Sequence, residues 1–278
     1  MTETDLYRIR DFVPDFDGIA AQFATRSRAL SNSARVKADI AYGSREREVL
    51  DVVFPDKPQA GAPLHVFIHG GYWRSGEKAD YRFIATPVLE AGGIVALVEY
   101  DLMPGQRLAV LVDQVRRAVN WLQDNATQFG ADPERITVSG HSAGAHLASY
   151  LAATGPEETA TARLPQLKGM LLLSGIYDLS GIPDSFLKHE AQLTPAEAAA
   201  FSPLSSAHQK GPKRIIAYGA DETPPFHDQA ILLGKHLQTE AHHSEVIALP
   251  GLNHMSVVLD LGDPNTSLGR KLSSLTAL

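Results

Sequence analysis

The five residues Gly140-His141-Ser142-Ala143-Gly144 match G-x-S-x-G, a spacing that holds a serine on a sharp turn between a strand and a helix. Residues 135–138 read as the strand. A helix of small residues is predicted over about 143–153, with Gly155 as its C-cap. The flanking glycines let backbone segments approach closely, the serine takes an unusual conformation, and the helix start beneath it favours negative charge. Such a serine is an activated nucleophile, suited to attack on a carbonyl carbon. The plain alternative is a chance Gly-Ser turn, and the strand and helix on either side argue against it.

A serine nucleophile needs donors for an oxyanion, a base and an acid. Backbone N–H groups can supply the first, and His69-Gly70-Gly71-Tyr72-Trp73 follows an apolar strand at 64–68. Gly70, Gly71 and Ala143 are the expected donors, with Tyr72 a further candidate. His69 is expected to pin this loop. Tyr72 and Trp73 are candidates to line a substrate pocket, with plain core packing an equal alternative for Trp73. Eleven histidines are present. The chain order serine, acid, histidine selects His254, in Gly251-Leu252-Asn253-His254 just past the last strand, as general base. His65 and His69 stand four apart on a strand, not a helix, so no zinc pair is expected. His141 and His146 flank the serine and are expected to pack or cap, and His242 and His243 to sit in a solvated loop. The acid should lie in Gly219-Ala220-Asp221-Glu222-Thr223, after a strand at 214–218. Asp221 and Glu222 are adjacent, only one can orient the imidazole, and the residues themselves do not separate them. Asp228 reads as a surface residue of the following helix.

These groups require a scaffold that brings distant loops together. Strands are predicted at 48–54, 64–68, 94–98, 135–138, 170–173, 214–218 and 246–249. Between them lie amphipathic helices at 107–123, with Leu108, Leu111, Val115 and Leu122 on one stripe, and at 226–238, with Phe226, Ala230, Leu233 and Leu237 inward. A helix at 11–32 precedes them, its start blurred by Pro14. Short apolar strands alternating with helices make an α/β protein with a mainly parallel sheet, whose ligands bind beyond the carboxyl ends of the strands. The stretch 176–206 breaks the rhythm and is expected to form a cap over that edge. No linker, charge run or repeat divides residues 1–278, so one domain is expected, with 1–32 as a helical N-terminal segment.

The net charge of −7 disfavours nucleic acid and anionic membranes as partners. With no cysteine, there is neither a disulfide framework nor a thiolate nucleophile. The first ten residues are polar and no apolar run spans a membrane, so a cytoplasmic location is expected.

Taken together, HGGYW, SGHSAGAHL, the YDL at 177–179, the segment ending in Pro225-Phe226, LNHMSVV, and the early Tyr42-Gly43 and Leu50-Asp51-Val52 resemble the kynurenine formamidase (arylformamidase) branch of the α/β-hydrolases, close to the hormone-sensitive-lipase-like esterases. The resemblance runs over nearly the whole chain. It implies the α/β-hydrolase fold and hydrolysis of an aryl formamide or small carboxylic ester through an acyl-enzyme on Ser142, without a metal or other cofactor. It also implies a small-molecule substrate and leaves a homodimer open. Its register sets Glu222, four residues before Phe226, where the branch carries an aspartate, and so favours Glu222 over Asp221. The competing readings on the same fold are a plain carboxylesterase, an acyltransferase and a non-catalytic binding module.

Overall fold

A computed structural model describes residues 4–158 and 162–278. Its strands are β1 (Arg35–Ala41), β2 (Val49–Phe54), β3 (Ala62–Ile68), β4 (Ile94–Val98), β5 (Ala131–His141), β6 (Ala153–Thr154), β7 (Gly169–Leu173), β8 (Ala207–His208), β9 (Lys213–Gly219) and β10 (Ser244–Leu249). Its helices are α1 (Phe16–Ser33), α2 (Thr86–Glu90), α3 (Leu108–Asn125), α4 (Ala143–Ser149), α5 (Pro195–Ala200), α6 (Pro224–Thr239), α7 (Ser256–Leu261) and α8 (Ser267–Thr276). Eight strands form one sheet in the order β1-β2-β4-β3-β5-β7-β9-β10, while β6 and β8 pair separately. From β4 to β10 the neighbours run parallel, and β1 and β2 are antiparallel additions at one edge.

The middle of the sheet is apolar on both faces. Every residue of β3, β4 and β7 is buried, as expected where helices cover both sides of a parallel sheet. Helices α2 and α8 pack together on one side, and α3 and α4 on the other. The stripe predicted on α3 is the face that is buried. Register then aligns the strand ends. Ile68 pairs with Gly140, His141 with Leu173, Leu173 with Ala217, and Gly219 with Leu249. The loops that leave β3, β5, β7, β9 and β10 therefore open on one edge. The chain leaves β3 towards β4 on one side and returns through β5 on the other, so β3 and β5 flank a topological switch point.

The structure differs from the sequence reading most at two helix ends and one strand. The first helix begins at Phe16, after a separate turn at Ile9–Asp11; Pro14 and the left-handed Asp15 (φ 55°) part the two. The helix after Ser142 stops at Ser149, and Gly155 is not its cap. Residues 153–154 instead leave to pair with β8. Strand β1 was not foreseen, because its Arg35, Lys37 and Asp39 give it the charge of an exposed edge. Among the described residues no helix is long and apolar enough to cross a membrane.

Candidate active site

Ser142 sits where β5 turns into α4, with φ 55° and ψ −122°, a region that non-glycine residues rarely occupy. The turn is held from below, since the Ser142 N–H donates to the Leu173 carbonyl at 2.9 Å. The small residues around it are a steric requirement. A Cβ on Gly140 would lie 2.3 Å from the Gly144 oxygen, and one on Gly144 would lie 2.1 Å from the Ile68 oxygen. Gly144→Ala is accordingly expected to cost about 3 kcal/mol, since a backbone oxygen and not a side chain must move. Urea unfolding would read it, and a variant as stable as the parent would contradict the close approach.

The loop after β3 lies against this turn. A Cβ on Gly70 would meet the His141 oxygen at 2.9 Å and the Ser142 Cβ at 3.2 Å. Gly71 has φ 119° and its missing Cβ would clash with the Ser75 oxygen at 2.0 Å. The Arg74 and Ser75 N–H groups close the loop on the Gly71 carbonyl. The N–H groups of Gly71 and Ala143 take no acceptor among the turn and loop bonds of the described residues.

His254 follows β10 in a loop tied by Asn253, whose Oδ1 accepts from the N–H groups of Met255 and Ser256. Its Nδ1 donates to Glu222 Oε2 at 2.7 Å. The other oxygen of Glu222 accepts from Ser174 Oγ at 2.5 Å and from the Gly219 N–H at 2.6 Å. Glu222 is buried, whereas Asp221 is exposed. The geometry thus pairs the imidazole with Glu222. Phe226 packs on the His254 ring at 4.4 Å between centroids, which fixes its plane. With Nδ1 engaged as a donor, Nε2 is the nitrogen left to accept a proton.

Ser142 and His254 line one cavity of about 520 Å³. Tyr72, Phe186 and Phe16 form aromatic walls, and Arg74 and Glu190 pair at 2.6 Å beside them. Phe186 and Glu190 come from the stretch 176–206. This stretch is built of short turns and α5, and it contributes part of the wall.

The remaining histidines are placed as follows. His69 is buried between the Gly70 oxygen and Glu99. His65 lies between the hydroxyls of Thr137 and Ser139 at 2.9 and 2.7 Å. His141 donates from Nε2 to the His254 carbonyl, and His146 from Nε2 to the Phe201 carbonyl, both at 2.8 Å. His242, expected in a solvated loop, is instead buried with Nε2 at 3.3 Å from Glu240, while His243 is exposed. Asp228 is exposed on α6. Trp73 does not line the cavity. Its ring turns inward, is fully buried, and donates from Nε1 to His146 Nδ1 at 3.1 Å. The loop gives Trp73 to the core beneath α4 and Tyr72 to the cavity.

One wall was missed by sequence reasoning. Residues 5–9 form a strap sewn to three loops. The Asp5 carboxylate accepts from the Phe186 N–H, the Leu6 carbonyl from Thr223 Oγ1, and the Tyr7 carbonyl from the Tyr72 hydroxyl. Arg8, Ile9 and Asp11 then face the cavity. Two of these bonds use backbone carbonyls, which leave no side-chain signature to read. Among the described residues no group of three or more His, Cys, Asp or Glu is arranged to hold a metal ion.

Comparison with known proteins gives the same grouping. The BD-FAE family profile matches residues 50–237. A kynurenine formamidase of Salmo salar is 30% identical over 245 residues, spanning 86% of this chain and 81% of the relative. The Danio rerio protein of the same name is 30% identical over 84% and 80% of the two chains. A Silicibacter protein of known structure, provisionally named a thioesterase, superposes over 100% of both chains with a TM-score of 0.82 and 25% identity. Esterase B of Lactobacillus rhamnosis shares the fold at 19% identity, with a TM-score of 0.71 over 94% of each chain.

Proposed function

Since the chain belongs to the BD-FAE family, in the kynurenine formamidase-like branch of the α/β-hydrolases, and is thereby an enzyme of the esterase and formamidase group, we propose that it is a serine hydrolase acting through an acyl-enzyme on Ser142. The observation that carries this reading is the His254–Glu222 bond of 2.7 Å at the wall of the cavity that Ser142 lines. In this mechanism Ser142 Oγ attacks the substrate carbonyl and His254 Nε2 takes the hydroxyl proton. Glu222, held by Ser174 and Gly219, keeps Nδ1 protonated and stabilises the imidazolium. The N–H groups of Gly71 and Ala143, with Gly70 and Tyr72 in the same loop, receive the oxyanion; one such donor is worth about 100-fold in kcat. His254 then protonates the leaving amine or alkoxide, and water clears the acyl group.

The substrate we propose is an aryl formamide, with a small carboxylic ester as the second reading. The aromatic side chains Tyr72, Phe186 and Phe16 support an aryl group, and the names of the fish relatives support a formamide. The test is a substrate panel of N-formylkynurenine and p-nitrophenyl acetate, run alongside a fluorophosphonate probe. Covalent labelling of the Ser142 peptide with turnover of the formamide is the expected result. Labelling with ester turnover alone would overturn the formamide claim, and absence of labelling would overturn the serine mechanism.

A further inference from the structure

The ring of His69 has an acceptor close to each nitrogen, and the Tyr100 hydroxyl, which donates to the His69 carbonyl at 2.8 Å, lies farther off at 3.4 Å from Nδ1. Nδ1 lies 2.7 Å from the Gly70 carbonyl oxygen and Nε2 lies 2.8 Å from Glu99 Oε1. A carbonyl oxygen and an ionised carboxylate can only accept, so each ring nitrogen must bring a hydrogen. The rest of the Glu99 shell consists of donors. Arg47 Nη2 reaches Oε1 at 2.5 Å, the Lys78 N–H reaches Oε2 at 3.0 Å, and the Tyr100 N–H reaches Oε1 at 3.3 Å. The Arg47 charge and the Lys78 and Tyr100 N–H groups favour an ionised Glu99 carboxyl whatever the state of His69. No acceptor in this shell calls for a protonated carboxyl.

We propose that His69 is a buried imidazolium, paired with Glu99, that polarises the peptide between Gly70 and Gly71 and so strengthens the Gly71 N–H as an oxyanion donor. The Gly70 carbonyl and the Gly71 N–H belong to one peptide unit. A charged hydrogen bond to its oxygen draws electron density away from its nitrogen and makes the N–H a better donor. The groups facing His69 favour the cation. Tyr100 stacks on the ring at 4.4 Å and 12°, and Tyr81 at 6.0 Å and 22°, each presenting a π face. Asp80 adds negative charge from the turn at 78–85, and Arg47 opposes it from the β1–β2 side while neutralising part of Glu99. The Lys78 ammonium is turned away towards Asp39 and Asp51. The Arg47 and His69 cations face the Glu99 and Asp80 carboxylates, so the cluster leaves no uncompensated charge beneath the loop. His69 and Glu99 act through Gly71 and are positioning residues; their effect on rate rests on the Ser142 mechanism proposed above.

The protonation state can be read without activity. In protein carrying ¹⁵N-histidine, with His69→Asn as the assignment reference, both nitrogens of His69 should show N–H shifts at about pH 7.5, where an ordinary imidazole is neutral. A bare nitrogen on His69 would overturn the proposal. In kinetics, Glu99→Gln keeps an acceptor for Nε2 but removes the charge. It should lower kcat about tenfold with KM within about twofold, because the Gly71 bond strengthens in the transition state. Glu99→Asp should recover part of the rate. An unchanged kcat in Glu99→Gln, or a loss confined to KM, would overturn the polarising role. If Glu99→Gln does not fold, the ¹⁵N result on the parent decides. If the parent turns over neither ester nor formamide, the Ser142 reading fails while the state of His69 is still measured.

Discussion

On the serine mechanism proposed above, replacing Ser142 by alanine is expected to lower kcat by about 10⁴- to 10⁶-fold on any substrate the enzyme accepts, because nucleophile and base would act as one unit. The residual rate would come from the donors of the loop and from binding. KM should change little, as the hydroxyl contributes to the reaction and not to the walls. The acid follows the same logic with a sharper contrast. Glu222→Gln removes the charge that stabilises the imidazolium and offers an amide that can impose the wrong tautomer, so a loss of about 10³- to 10⁴-fold is expected. Glu222→Asp keeps the charge but shortens the reach of a bond now at 2.7 Å, and should cost about 10-fold or more. Asp221→Asn alters an exposed neighbour and should leave kcat/KM within about twofold. Steady-state kinetics on the four variants reads all of this. A large loss in Asp221→Asn with an active Glu222→Gln would reverse the assignment of the acid.

That contrast also marks where sequence stops being readable. The turn at Ser142, the glycines at 70 and 71 and the place of His254 were legible, because each is a local pattern tied to a strand end. Choosing between Asp221 and Glu222 was not legible from the residues themselves. It depends on which side chain turns under the loop after β9, and this is fixed by the Gly219 N–H in the same turn and by Ser174 across the sheet edge. The resemblance supplied the register that the physics of two adjacent carboxylates did not. Trp73, left open between pocket and core, and His242, expected in solvent, resisted reading for a related reason. Neighbours in a loop can point to opposite sides, and Trp73 finds its partner in His146, 73 positions away. The strands were found wherever burial on both faces made them apolar, and β1 was lost where exposure made it charged. The strap at 5–9 was invisible, because what it offers to Thr223 and Tyr72 is main chain.

The same buried histidines that surround the site should make the fold sensitive to acid. His65, His141 and His146 are each almost wholly excluded from water. Burial lowers His65 to about 3 and His146 to about 4, and burial together with the nearby His254 places His141 well below the ordinary value. Hydrogen bonding agrees at His146, where Nδ1 must stay bare to accept from Trp73. In the unfolded chain all three titrate near 6.5. Above that pH neither state binds these protons and stability is full. As the pH falls below about 6.5 the unfolded chain takes up protons that the native state refuses, and stability declines until the native values are reached. Three such groups give a slope of about 4 kcal/mol per pH unit. At that slope a total stability of about 5 kcal/mol would be exhausted at about pH 5, and one of about 10 kcal/mol at about pH 4. Urea titrations from about pH 7 to pH 5, above the range in which paired carboxylates lose their charge, isolate the histidine contribution. His65→Gln keeps a polar group between Thr137 and Ser139 and should reduce the slope by about 1.4 kcal/mol per pH unit, whatever it does to stability at neutral pH. A stability that stays flat from pH 7 to pH 5 would mean that these three rings reach water, and the tight packing described around Ser142 would then be wrong.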